Sequence, residues 1–137
     1  MLQTDRPQRL LIVDDERNIT NSLSAIFSTR GYDTRGAYSA EEARALIQDW
    51  SPDLAIIDVL LPAMNGIDFA ILLKAAFPKC RLMLFSGQTS ASNLLELAKE
   101  QGHHFEIEAK PVSPELLLDW AADSSIPAAN NPNESLN

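Results

Sequence analysis

The chain has 137 residues, 45% of them hydrophobic, which suits one compact domain with a real core. Its net charge of −8 and isoelectric point of about 4.6 argue against wrapping a polyanion such as DNA or lying on an anionic membrane, since both rely on Lys and Arg. No stretch approaches the roughly 20 apolar residues of a membrane span, the start lacks the apolar core of a secretion signal, and Cys80 is alone, so a reducing cytoplasm is expected.

In chain order, "RLLIVDDE" predicts a buried strand at residues 10–13 that runs into Asp14 and Asp15. "NITNSLSAIFSTRG" predicts a helix, because Ile19, Leu23, Ile26 and Phe27 recur at helical spacing and Gly31 can end it. "YDTRGA" is a weak strand. "SAEEARALIQDW" predicts a second helix, with Ser39 and Glu42 as a capping box and Ala43, Leu46, Ile47 and Trp50 as its apolar face. "DLAIID" is the third strand, Pro62 with Asn65 and Gly66 is expected to form the turn that carries the chain away from it, and "GIDFAILLKAAF" is the third helix. "RLMLFSG" is the fourth strand, and "SNLLELAKEQG" the fourth helix, stopped by Gly102. "HFEIEAKP" is the fifth strand, where Phe105, Ile107 and Ala109 alternate with Glu106, Glu108 and Lys110, as on an edge strand with one wetter face. "SPELLLDWAA" is the fifth helix, capped by Ser113, with Pro114 in its first turn. His103 and His104 read as loop residues, and Trp50 and Trp120 as packing. Residues 1–8 and the Pro-, Asn- and Ser-rich residues 124–137 are expected to be flexible, leaving one domain at 9–123.

Five strand–helix units predict an α/β fold, a doubly wound parallel sheet with helices on both faces. The first, third and fourth strands are continuous apolar runs, as burial on both sides requires. Ligands bind such sheets at the carboxyl ends of the strands. Those ends carry Asp14 and Asp15, Asp58, Ser86 and Gly87, and Lys110. Each has a plainer role: Asp15 as a helix cap, Asp58 as a turn former, Ser86 as a cap, Lys110 as an edge-strand guard. Their convergence on one edge favours a site. Three carboxylates repel one another, Lys110 supplies one positive charge, and an all-oxygen ligand set suits Mg²⁺ for the rest. Cation and ammonium together would favour a phosphoryl group, with a carboxylate as nucleophile. Asp58 is the best placed acceptor. Asp15, with Asp14 directly or through water, would hold the metal beside Asp58 and the backbone carbonyl of Leu60. Ser86 and Lys110 would hold phosphoryl oxygens, and Gly87 leaves them room. Leu60 and Gln88 flank the site and should influence water access.

The stretches "VDDE", "DVLLPAMNG", "FSG" and "AKP" follow one another at strand ends. In them the chain resembles the receiver domain of two-component response regulators, the CheY-like family, over roughly residues 9–122. The resemblance implies a flavodoxin-like (βα)5 three-layer sandwich with sheet order 2-1-3-4-5. It also implies phosphorylation of Asp58 by a histidine kinase or phosphotransfer protein, with Mg²⁺ required. The surface of the fourth helix, fifth strand and fifth helix would then shift toward a downstream protein target. Ile107 stands where the family usually has an aromatic switch residue, and Phe105 lies two residues earlier on the same predicted face; both are candidates for that role. Glu108 stands where an apolar residue is commoner, Ser86 replaces the more frequent Thr, and Leu61 the frequent Met. With no output domain fitting after residue 122, a single-domain receiver is expected, monomeric or weakly dimeric, acting on protein and on neither nucleic acid nor membrane. It is expected not to be an enzyme. A receiver-like binding module that is never phosphorylated is one alternative. A phosphatase of the haloacid dehalogenase type is another, but it needs a second Asp two residues after the nucleophile, where this chain has Leu60.

Overall fold

A computed structural model describes residues 6–87, 91–111 and 113–123; residues 1–5 and 124–137 of the expected flexible ends, and Gln88, lie outside the described residues. Strand β1 (Arg9–Val13) leads into helix α1 (Arg17–Thr29), followed by β2 (Asp33–Ala37), α2 (Ala40–Leu46) and β3 (Leu54–Asp58). The chain continues through α3 (Gly66–Ala76), β4 (Arg81–Ser86), α4 (Ala91–Glu100), β5 (Glu106–Ala109) and α5 (Pro114–Ala122). The strands are parallel and lie in the order β2-β1-β3-β4-β5, the expected doubly wound arrangement.

Alternation along the strands divides the core in two. Leu10, Ile12, Leu54, Ile56, Met83 and Phe85 pack against Leu23 and Phe27 of α1 and Leu117 and Trp120 of α5. Leu11, Val13, Ala55, Ile57, Leu82 and Leu84 point the other way, onto Ala43, Phe69, Leu73 and Ala98 of α2, α3 and α4. Each large side chain buried this way contributes about 1.5–3 kcal/mol, so packing on both faces holds the middle strands firmly. The polar residues that follow them inherit that rigidity.

Glycines close α1 and α4 as expected, with φ of +93° at Gly31 and +91° at Gly102. Ser113 accepts from the Leu116 amide at the start of α5, and Ser39 from Glu42 at the start of α2. Before β1, Arg6 donates to both carboxylate oxygens of Asp53, at 2.9 and 3.2 Å. Cys80 is buried, and loss of solvation pushes its thiol up to about 12, so it stays protonated and unreactive at neutral pH. Among the described residues, no helix is long and apolar enough to cross a membrane.

Three local expectations change. Helix α2 ends at Leu46, so Trp50 is buried from a loop and not from a helix face. Its indole stacks under Arg35 at 4.8 Å, and its N–H reaches Asp33 Oδ2 at 3.4 Å. Strand β5 is only four residues long, so Phe105 precedes it, stacked on His103 at 6.3 Å. Its faces are also reversed from what alternation suggests. Ile107 is 42% exposed, whereas Glu106 is half-buried and accepts the Trp120 indole N–H at 3.0 Å. A buried indole needs an acceptor, and on this edge strand a glutamate supplies it. Finally, Asn65 and Gly66 do not form the turn after Pro62. The left-handed residue there is Ala63, at φ +60°, while Asn65 caps α3 by accepting from the Asp68 amide at 2.8 Å.

Candidate functional site

Backbone pairing brings the expected polar residues to one edge. The Asp14 amide donates to the Ala37 carbonyl, and the buried Thr20 hydroxyl donates to the Asp14 carbonyl at 2.7 Å. Asp58 ends β3 opposite Phe85, and the Val59 amide continues that pairing to the Phe85 carbonyl. The Lys110 amide donates to the Ser86 carbonyl at 3.0 Å, extending β5 past its last strand residue. Asp58 therefore ends, and Asp14 and Lys110 directly follow, strands that are tied sideways to their neighbours.

Their side chains meet. Lys110 Nζ lies 2.9 Å from Asp14 Oδ2, 3.0 Å from Glu16 Oε1 and 3.2 Å from Asp58 Oδ2. The second oxygen of Asp58 accepts from the Leu60 amide at 3.3 Å, and that of Asp14 from the Glu16 amide at 2.9 Å. Asp14 is fully buried, Asp58 is 5% exposed, and Asp15 stands in solvent at the rim. Asp15 does not cap α1: the cap position is Glu16, and no side-chain cap bond forms there. A cleft of about 310 Å³ opens over the group, lined by Asp15, Glu16, Asp58, Leu60, Gly87 and Lys110. A methyl group at Gly87 would just touch the Lys110 stem, at 3.4 Å, so a larger side chain would press on the lysine or cover the cleft.

Burial pushes the Asp58 carboxyl up, the Asp14 charge adds to the rise, and Lys110 offsets only part of it, leaving it at about 6. Burial pulls the Lys110 ammonium down, but its hydrogen bonds and the surrounding carboxylate charges outweigh that, so it is held above its ordinary value and stays charged. Asp14, Asp15 and Asp58 each bring one oxygen within 4.8 Å of the others. Asp14 Oδ2 is paired in charge with Lys110, yet this buried oxygen accepts no hydrogen bond among the described residues. A hard, oxygen-only donor set with an unsatisfied buried carboxylate oxygen fits a divalent cation of the Mg²⁺ kind.

The model of the response regulator receiver domain matches residues 10–122. The chain belongs to that family. Receiver domains are signalling modules that interact with histidine kinases and downstream effectors, and they typically bind Mg²⁺ at an acidic pocket. Among solved structures, this receiver is similar to the CheY-like receiver domain protein of Methanospirillum hungatei JF-1, at 30% identity and a TM-score of 0.74, over 84% of this chain and 90% of that one. It is also similar to the chemotaxis protein CheY4 of Vibrio cholerae, at 26% identity and a TM-score of 0.72, over 84% of this chain and 96% of that one. Among curated proteins, the DNA-binding response regulator MtrA of Mycobacterium leprae is 35% identical over 68 residues, 50% of this chain and 30% of MtrA. The transcriptional regulatory protein CpxR of Klebsiella pneumoniae is 40% identical over 60 residues, 44% of this chain and 25% of CpxR. The match thus spans less than a third of these curated relatives.

Two residues of the site escaped the sequence. Glu16 reaches Lys110 from 94 positions away, and the third acid of "DDE" was its one visible trace. Gly66 reads as a turn glycine, yet a side chain there would collide with the Asp58 backbone. The proposed switch residues are not brought into the group: Phe105 lies before β5 and Ile107 faces solvent.

Proposed function

We propose that this receiver accepts a phosphoryl group on Asp58 from a phosphohistidine, carried by a histidine kinase or phosphotransfer protein. The observation that carries this reading is the placement of Asp58. It ends a fully buried strand, lines the cleft, and has Lys110 Nζ 3.2 Å from its carboxylate. A carboxylate oxygen would form the new O–P bond as the donor's N–P bond breaks and the imidazole leaves with the electron pair. Asp14, Asp15, Asp58 and the Leu60 carbonyl would hold Mg²⁺, which when bound supplies positive charge to the phosphoryl oxygens. Lys110 and the Ser86 hydroxyl would hold further phosphoryl oxygens, with Gly87 leaving them room.

The readout surface is α4, β5 and α5. Among the described residues the large hydrophobics left exposed are Leu97, Ile107 and Leu116, one on each of these elements, at 54%, 42% and 40%. A protein target suits them better than DNA, given the chain's net charge of −8. The DNA binding in MtrA's name describes a protein of which the match covers 30%.

Acetyl phosphate with Mg²⁺ should label the wild-type protein and leave Asp58→Asn unlabelled. Labelling of both to the same extent would refute the assignment of Asp58. The metal should also compete with a proton. Because the Asp58 carboxyl lies at about 6, Mg²⁺ binding followed by fluorescence or NMR should weaken about tenfold from pH 7 to pH 5. A pH-independent affinity would remove Asp58 from the metal ligands.

A further inference from the structure

We propose that Glu16 is a positioning residue for Lys110, occupying the place beside the ammonium that a phosphoryl oxygen must take. The inference rests on the phospho-acceptor reading of Asp58. Three carboxylates enclose Lys110 Nζ within 3.2 Å: Asp14, Glu16 and Asp58. They differ in how readily they can let go. The side chains of Asp14 and Asp58 are 0% and 7% exposed, whereas that of Glu16 is 63% exposed. Stripping a buried carboxylate of its cation leaves an uncompensated charge in a poorly solvated place. Releasing Glu16 only returns a carboxylate to water.

The geometry aims Glu16 at this task. Its backbone amide donates to Asp14 Oδ1 at 2.9 Å, which sets this cap residue of α1 at the cleft mouth. From there its side chain reaches Lys110, just past β5, and stands outside the oxygen cluster of Asp14, Asp15 and Asp58. Without Mg²⁺ or phosphoryl, Glu16 balances and steadies the lysine. When a phosphoryl oxygen arrives, Glu16 yields its place. Its charge and its hydrogen bond therefore both oppose phosphoryl binding, and they set how tightly the switched state is held.

The test uses the full chain with beryllofluoride as phosphoryl mimic at saturating Mg²⁺, so that metal affinity does not enter. Glu16→Gln should bind beryllofluoride about two- to five-fold more tightly than wild type, the range for releasing one exposed ion pair. In the metal-free variant, the Lys110 ammonium protons should exchange with water faster than in wild type, as read by side-chain ¹⁵N NMR. Equal or weaker beryllofluoride binding by Glu16→Gln would overturn the inference. So would tighter binding with unchanged Lys110 exchange, because Glu16 would then act through charge alone. If the wild-type protein fails to bind beryllofluoride, the acceptor reading falls, and this inference with it. If wild type binds and the variant shows no gain, this inference alone falls.

Discussion

Gly66→Ala is expected to destabilise the domain by about 3 kcal/mol and to slow Mg²⁺-dependent labelling of Asp58 severely. A β-carbon at this position would overlap the Asp58 carbonyl oxygen, and would lie 2.7 Å from the Asp58 carbonyl carbon and 2.9 Å from Val59 Cα. All three atoms are backbone, so no side-chain rotation relieves the clash, which places the cost at the upper end of overpacking. The Gly66 amide also donates to the Val59 carbonyl at 2.7 Å, so α3 cannot back away without breaking that bond. The displaced segment carries the acceptor itself, and positioning losses on this scale cost rate steeply. Gly31→Ala is the control. It strains a left-handed residue at φ +93° but meets no atom within 4 Å, so it should cost only about 1 kcal/mol and leave labelling intact. Urea melts and labelling rates of the two variants separate collision from backbone strain; similar losses in both would show that the close approach at Gly66 does not matter.

Lys110→Met should cost about 2–3 kcal/mol at pH 8 without Mg²⁺, because it removes the cation that Asp14, Glu16 and Asp58 share. Acid should return part of this loss. The folded Asp58 carboxyl lies at about 6, above its ordinary 3.8, so the fold favours its protonated form. That contribution is fully present below the ordinary value and is lost as pH rises through the folded one. Lys110 holds the folded value down, so without it the value climbs further and the stabilisation by acid extends to higher pH. The deficit of Lys110→Met against wild type should therefore shrink between pH 8 and pH 5, and also on adding Mg²⁺. A deficit that stays level across pH and metal would mean that the lysine stem matters only for packing.

The sequence displayed the sheet and the strand-end residues because both follow from local pattern. Short runs rich in Ile and Leu such as "LAIID", bounded by turn residues, fit buried strands, and in a parallel sheet the polar residue at the end of such a run lands on the ligand edge. What it hid depends on distant partners. Glu16 looks like an ordinary acid at a helix start until β5 brings Lys110 to it. Gly66 looks like a turn residue because the backbone it touches belongs to another element. Alternation along β5 tells which residues share a side, not which side is covered, so it leaves the inward place of Glu106 hidden. Trp120 decides that question by claiming Glu106. Helix α2 stops short of Trp50 for a similar reason: Arg35 and Asp33 of β2 hold the indole from outside the helix.

The central claim is that Asp58 is the phospho-acceptor, and reductive trapping tests it most directly. The protein is incubated with acetyl phosphate and Mg²⁺, then treated with borohydride, which converts an aspartyl phosphate to homoserine. Peptide mass spectrometry should find homoserine at position 58, dependent on Mg²⁺, with Asp14 and Asp15 unmodified. Homoserine at another aspartate, or none under conditions that reduce a known acyl phosphate, would contradict the account.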